Sequence, residues 1–128
     1  MKIGEIAKKV GVSAKSIRHY EDIGLIAAPI RAKNGYRYYD QTHFEALRLI
    51  KKSRFVGFTL EECKTLLELW ASPNRKSKEV NATLLKKIDD IDAQIKALLT
   101  MKSMLTELSN QCPNDDTTYC PIISTLIK

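Results

Sequence analysis

The chain is poor in the residues that most often build catalytic or closed metal sites: among 128 residues it has 3 Cys, 2 His and 1 Trp. His19 and His43 lie in the N-terminal third, far along the chain from Cys112 and Cys120, and no acid, base and nucleophile cluster together. An enzyme is therefore not expected. No apolar run approaches the roughly 18 residues of a membrane-spanning helix, and the opening Met-Lys-Ile-Gly-Glu lacks an apolar signal region. These absences lead us to expect no membrane association, a cytoplasmic location and reduced thiols. With an odd cysteine count, a permanent disulfide between Cys112 and Cys120 is disfavoured.

The segment Cys112-Pro-Asn-Asp-Asp-Thr-Thr-Tyr-Cys120 is a candidate metal clip. Thiolates are soft ligands suited to Cu(I), zinc and iron-sulfur clusters, and a short loop brings two sulfurs together at little entropic cost. Zinc ordinarily takes four ligands, whereas no third cysteine is near in sequence. A monovalent ion of low coordination number suits the pair better. Spacing alone leaves a disulfide, or two ordinary small apolar residues, as open alternatives.

Charge divides the chain. Residues 1–56 hold 12 Lys and Arg against 5 Asp and Glu, a balance of +7, while residues 57–128 hold 9 against 10, a balance of −1. A basic N-terminal half is the electrostatic footprint of nucleic-acid binding, although a membrane surface would attract it too.

Within that half, Ile3, Ile6, Ala7 and Val10 recur at helical spacing until Gly11. Ser13 is placed to cap a second helix, which carries Ile17 and Tyr20 and ends at Gly24. Two short helices about a tight turn form either a helix-turn-helix, whose second helix enters the major groove, or a plain helical hairpin. Next, Asn34-Gly35 between Pro29-Ile-Arg31 and Tyr36-Arg-Tyr-Tyr39 predicts a β-hairpin wing. Alternation puts Tyr36 and Tyr38 on one face and Arg37 and Tyr39 on the other, and some of these tyrosines belong to the core. The expected DNA-contacting set is Ser13, Lys15, Ser16, Arg18, His19 and Tyr20 on the second helix, Arg31, Tyr36, Arg37 and Tyr38 in the wing, and Arg54 beyond it.

Asp40 is positioned to cap a helix bearing Phe44, Leu47 and Ile50 that runs toward Phe55 and Gly57. Thr59 and Glu62 have capping-box spacing ahead of Leu60, Cys63, Leu66, Leu67 and Trp70, and Cys63 reads as a buried small apolar residue. Leu84, Ile88, Ile91, Ile95, Leu98 and Leu105 then step by four and three, with Lys102 interrupting an otherwise apolar seam. From Val80 to Asn110 such a helix would be on the order of 46 Å long, too long to bury its stripe against so small a domain. A second copy of the chain is the natural partner, and docking within the chain onto residues 41–70 is the alternative.

Taken together, Ile3-Gly-Glu-Ile-Ala-Lys-Lys-Val-Gly-Val-Ser13, Ser16-Ile-Arg-His-Tyr-Glu-Asp-Ile-Gly-Leu25 and Asn34-Gly-Tyr-Arg-Tyr-Tyr39 resemble the DNA-binding half of the MerR-family transcription regulators. The Cys112 to Cys120 loop followed by Pro121-Ile-Ile123 resembles the copper-efflux branch, whose members sense Cu(I) and respond to Ag(I) and Au(I). Zinc-sensing and mercury-sensing relatives carry a further cysteine where this chain has Ser77, which favours the monovalent branch. Asn114 is a departure, standing where a Gly is often found.

The resemblance implies a mainly α protein in three parts: a winged helix-turn-helix domain over 1–75, a dimerisation helix over 76–110 forming an antiparallel coiled coil, and a metal-binding loop with a short helix over 111–128. It further implies a homodimer on a palindromic operator in double-stranded promoter DNA, whose distortion on metal binding lets RNA polymerase read the promoter. Cys112 and Cys120 would be the metal ligands. Two rivals are a copper chaperone, which has no need of the basic half, and a thiol redox switch on the same DNA-binding head.

Overall fold

The computed structural model describes residues 1–113, 115–116, 118 and 120–128. The departure at Asn114 lies outside the described residues. The described chain forms α1 (Ile3–Val10), α2 (Ala14–Asp22), β1 (Ile30–Arg31), β2 (Arg37–Tyr38), α3 (Gln41–Phe55), α4 (Leu60–Ala71), α5 (Ser77–Asn110) and α6 (Pro121–Leu126). It divides into two compact units, Met1–Ala82 and Thr83–Lys128.

In the first unit, α1 turns Ile6 and Val10 into the core and stops at Gly11, whose φ of 78° lies in the left-handed region. The Gly11 N–H donates to the Ala7 carbonyl at 2.9 Å. Lys51 Nζ donates to the Val10 carbonyl at 3.0 Å, placing a cation at the negative end of the α1 dipole. A Cβ at Gly11 would run into that ammonium. Helix α2 begins where expected, with Ser13 Oγ accepting from the Ser16 N–H at 3.0 Å. Ile17 is fully buried, which leaves Lys15, Arg18 and His19 exposed on the opposite side.

The wing is an antiparallel pair with Ile30 opposite Tyr38 and Arg31 opposite Arg37. Its loop closes through Gly35 N–H to the Ala32 carbonyl at 2.9 Å and Tyr36 N–H to Asn34 Oδ1 at 3.2 Å. Tyr39, one residue past β2, turns inward and is 3 % exposed. Its main chain pairs with that of Met1 in both directions, at 2.6 and 2.7 Å.

Helices α3 and α4 both start with reciprocal capping boxes. Thr59 Oγ1 accepts from the Glu62 N–H at 3.1 Å, and Glu62 Oε1 accepts from the Thr59 N–H at 2.9 Å. For α3 the partner of Asp40 is His43: Nδ1 lies 3.1 Å from the Asp40 main-chain nitrogen and 2.9 Å from Asp40 Oδ1, while Nε2 lies 3.2 and 3.1 Å from the Ala27 and Ala28 carbonyls. One buried imidazole thereby ties the α2 to β1 connection to the start of α3. Ile6, Ile17, Leu47 and Ile50 are fully buried, each contributing about 1.5–3 kcal/mol of transfer free energy. Phe58, Cys63 and Leu66 form a second buried cluster beside Leu49.

The helix α5 buries none of its residues within the chain. Of the expected seam, Leu84, Ile88, Ile95, Leu98 and Leu105 are 43 %, 51 %, 50 %, 62 % and 66 % exposed, and Ile91 is half-buried. Cys120 is the N-cap of α6, with Pro121 at the first helical position, where its missing N–H costs nothing. Among the described residues, no helix is long and apolar enough to cross a membrane.

Candidate nucleic-acid interface and thiol pair

The candidate surface starts from α2. Because Ile17 must face the core, the helical period puts Arg18 and His19 outward, with Lys15 one turn earlier. The wing meets this surface. Lys2, Ile3, Arg18, Tyr36, Arg37 and Tyr39 line one cleft of about 300 Å³. Among the described residues, none of Lys2, Arg18 and Arg37 forms an ion pair. Three cations outside any direct ion pair in one concavity make a receptor for an anion, as backbone phosphates require. Lys2 was not among the residues expected from sequence; its ammonium lies 5.5 Å from the centroid of the Tyr36 ring, in cation-π geometry. Its only sequence signal is a basic charge next to α1.

The expected contact residues separate into groups. Lys15, Arg18 and His19 on α2, and Arg31, Tyr36, Arg37 and Tyr38 in the wing, are exposed. Ser13 and Ser16 are engaged with each other, through the cap and a hydroxyl contact of 2.9 Å. Tyr20 is half-buried and packs against the core. Arg54 lies in the last turn of α3, where Nη1 donates to the Phe58 carbonyl at 3.0 Å and braces the α3 to α4 turn, outside the α2 and wing cleft. Arg31 lines a separate concavity with Glu21, Asp22 and Arg37, so acidic neighbours temper the charge of both arginines.

Tyr39 is the hinge between core and wing. Its hydroxyl donates to the Glu21 carboxylate and its ring stands edge-on to His43 at 5.2 Å. Burial, and then the carboxylate that accepts its proton, push its pKa up to about 12. Arg37 and Arg18 pull the other way, since both cations lie close enough to favour a phenolate.

At the far end of the chain, Cys112 and Cys120 are free thiols, each partly exposed, whereas Cys63 is buried. The Cys112 N–H donates to the Ser109 carbonyl at 3.1 Å, attaching the loop to the end of α5. Among the described residues, no group of three or more His, Cys, Asp and Glu side chains is arranged to hold a metal ion. The soft donors the described residues of the loop offer are the two partly exposed sulfurs of Cys112 and Cys120.

Comparison with known proteins bears on both sites. The family described as "MerR HTH family regulatory protein" matches residues 1–70, and that described as "MerR, DNA binding" matches residues 44–108. The chain belongs to the MerR family. The regulator "HTH-type transcriptional regulator CueR" of Salmonella typhimurium is 44% identical over 126 residues, 98% of this chain and 91% of that protein. Among solved structures, the transcription regulator PbrR691 from Ralstonia metallidurans CH34, in complex with lead(II), superposes with a TM-score of 0.88 at 32% identity and 98% coverage of both chains. The dual function regulator MerR from Bacillus megaterium MB1, in complex with mercury(II), gives 0.81 at 35% identity over 100% of both. With such relatives along nearly its whole length, this MerR-family chain is a metal-responsive regulator of transcription and not an enzyme.

Proposed function

We propose that this MerR-family regulator binds a palindromic operator in double-stranded promoter DNA as a homodimer, and activates copper-efflux or detoxification genes when Cys112 and Cys120 take up Cu(I), with Ag(I) and Au(I) as alternatives. The observation that carries the choice of metal is the donor set: two free, partly exposed thiols in the loop, with Ser77 at the head of α5. A serine hydroxyl is a poor substitute for the thiolates and imidazoles that complete a zinc site. Two thiolates on a monovalent ion satisfy a low coordination number with no further ligand.

The dimer reading rests on α5. Its row of half-exposed Leu and Ile residues is the seam of an antiparallel coiled coil, which a second copy would cover. Two heads then meet the two half-sites of one palindrome. With the thiols occupied, the ordered loop shifts the heads toward the state that bends and underwinds the DNA, so RNA polymerase can read a promoter it otherwise engages poorly. The metal's leverage equals its difference in affinity between the two states, so both states of the protein stay on the operator.

The test is an anaerobic titration of the reduced chain with Cu(I), Ag(I) and Zn(II), followed by transcription from the operator promoter. Two sulfur neighbours and no nitrogen are expected in X-ray absorption of the Cu(I) form. Cys112→Ser or Cys120→Ser should abolish induction while operator binding persists. Three or four ligands, or zinc activating as well as copper, would overturn the reading. Activation by an oxidant without metal would instead indicate a disulfide switch on the same head.

A further inference from the structure

The basic cleft between α1, α2 and the wing draws on three elements, and one of its cations, Lys2, comes from the N-cap of α1 rather than from α2 or the wing. We propose that Lys2, Arg18 and Arg37 close together on a single backbone phosphate of the operator, and that Lys2 is a DNA-binding residue of this chain. The proposal rests on the reading of the α2 and wing surface as the DNA interface, and adds the phosphate clamp to it.

Three observations place the clamp. First, the three side chains line the same cleft of about 300 Å³, which has room for one phosphodiester group and its non-bridging oxygens. Second, the cations are available. Among the described residues none of the three makes an ion pair, although Glu21 and Asp22 line an adjoining concavity with Arg37 and temper that arginine from its other side. Third, Lys2 is held in place: the reciprocal main-chain pairing of Met1 with Tyr39 sets the start of α1 beside the end of the wing, and the Tyr36 ring lies 5.5 Å from the Lys2 ammonium. The aromatic face keeps the ammonium over the cleft without neutralising it, so less side-chain freedom is lost when a phosphate arrives. Arg18 supplies a planar fork from the recognition helix and Arg37 another from the wing, while Lys2 adds a point charge.

A shared phosphate has a mechanical consequence. The recognition helix, the wing and the start of α1 would grip the same point on the backbone, so each head moves on the DNA as one body.

The experiment uses the full chain and a duplex selected by the protein from a random pool. Each phosphate of one half-site is replaced in turn by a neutral methylphosphonate, and affinity is measured at several stated salt concentrations for the wild type, Lys2→Met, Lys2→Arg, Arg18→Ala and Arg37→Ala. Lys2→Met, present in both heads of the dimer, should weaken binding about tenfold per half-site, as for one lost charge-assisted contact, and lower the salt dependence of binding. Lys2→Arg should retain most of the affinity. One methylphosphonate position should penalise the wild type strongly and Lys2→Met, Arg18→Ala and Arg37→Ala much less, because all three have lost a contact to that phosphate. If Lys2→Met keeps full affinity and salt slope while Arg18→Ala and Arg37→Ala weaken binding, the clamp is wrong and the DNA surface stands. If the three variants map to different phosphates, the shared grip is wrong. If Arg18→Ala and Arg37→Ala are also silent, the assignment of the surface itself has failed.

Discussion

Tyr39→Phe tests the joint between core and wing. The substitution keeps the buried ring and its edge-on contact with His43, but removes the hydroxyl that donates to Glu21. Losing a hydrogen bond to a charged acceptor costs about 1.5–3 kcal/mol. The pH dependence separates this loss from general loosening. The pKa of folded Tyr39 is raised to about 12, above its ordinary value of 10.0, so the folded state holds the phenolic proton more tightly than the unfolded chain. Its contribution is therefore complete below pH 10 and declines as the pH rises toward 12. At pH 11 the wild type should have lost about 1.4 kcal/mol of that advantage, the order given by one pKa unit of linkage. Urea denaturation of wild type and Tyr39→Phe at pH 8, 10 and 11 reads the difference directly, since titration of the lysines is common to both proteins. The stability gap should narrow above pH 10. A gap that stays constant across these values would show that the hydroxyl is not the proton-linked group.

Gly11→Ala should destabilise the chain by about 1–3 kcal/mol in thermal or urea melts, because alanine disfavours the φ of 78° and its Cβ displaces Lys51 from the end of α1. No loss would mean that the turn relaxes freely. Ile91→Asp puts a carboxylate in the α5 seam and should give monomers or unfolded protein in sedimentation; a wild-type chain that is already monomeric at micromolar concentration would refute the seam. Cys63→Ser places a hydroxyl in a site that is 1 % exposed and should lower stability by about 1–3 kcal/mol, with Ag(I) stoichiometry and induction unchanged. Loss of the metal response would make Cys63 a ligand.

Much of the local architecture could be read along the chain because its causes are local. Ser13, Asp40 and Thr59 do cap α2, α3 and α4, since a short polar side chain satisfies the amides two or three residues ahead whatever surrounds it. Asn34-Gly35 does lie in the wing loop, and the helix expected from Val80 to Asn110 does run to Asn110 within α5. The reciprocal bond of the Asp40 box was hidden, because histidine occupies the place usually held by Glu or Gln.

The sequence by itself thus determined the order of helices, the winged head, the exposed apolar stripe and a thiol pair with no third cysteine nearby, all through periodicity, capping and composition. Only the tertiary structure decided which tyrosine is core. Alternation distinguished the faces of the wing, but Tyr39 goes inside because Glu21 and the Met1 main chain, from two distant segments, converge on it together with the nearby His43. The same pairing brings Lys2 to Arg18 and Arg37, and the brace to Phe58 occupies Arg54 elsewhere. Propensity acts over a few residues, whereas a binding cleft is set by chain closure over tens of residues, and that closure is fixed only when the core packs.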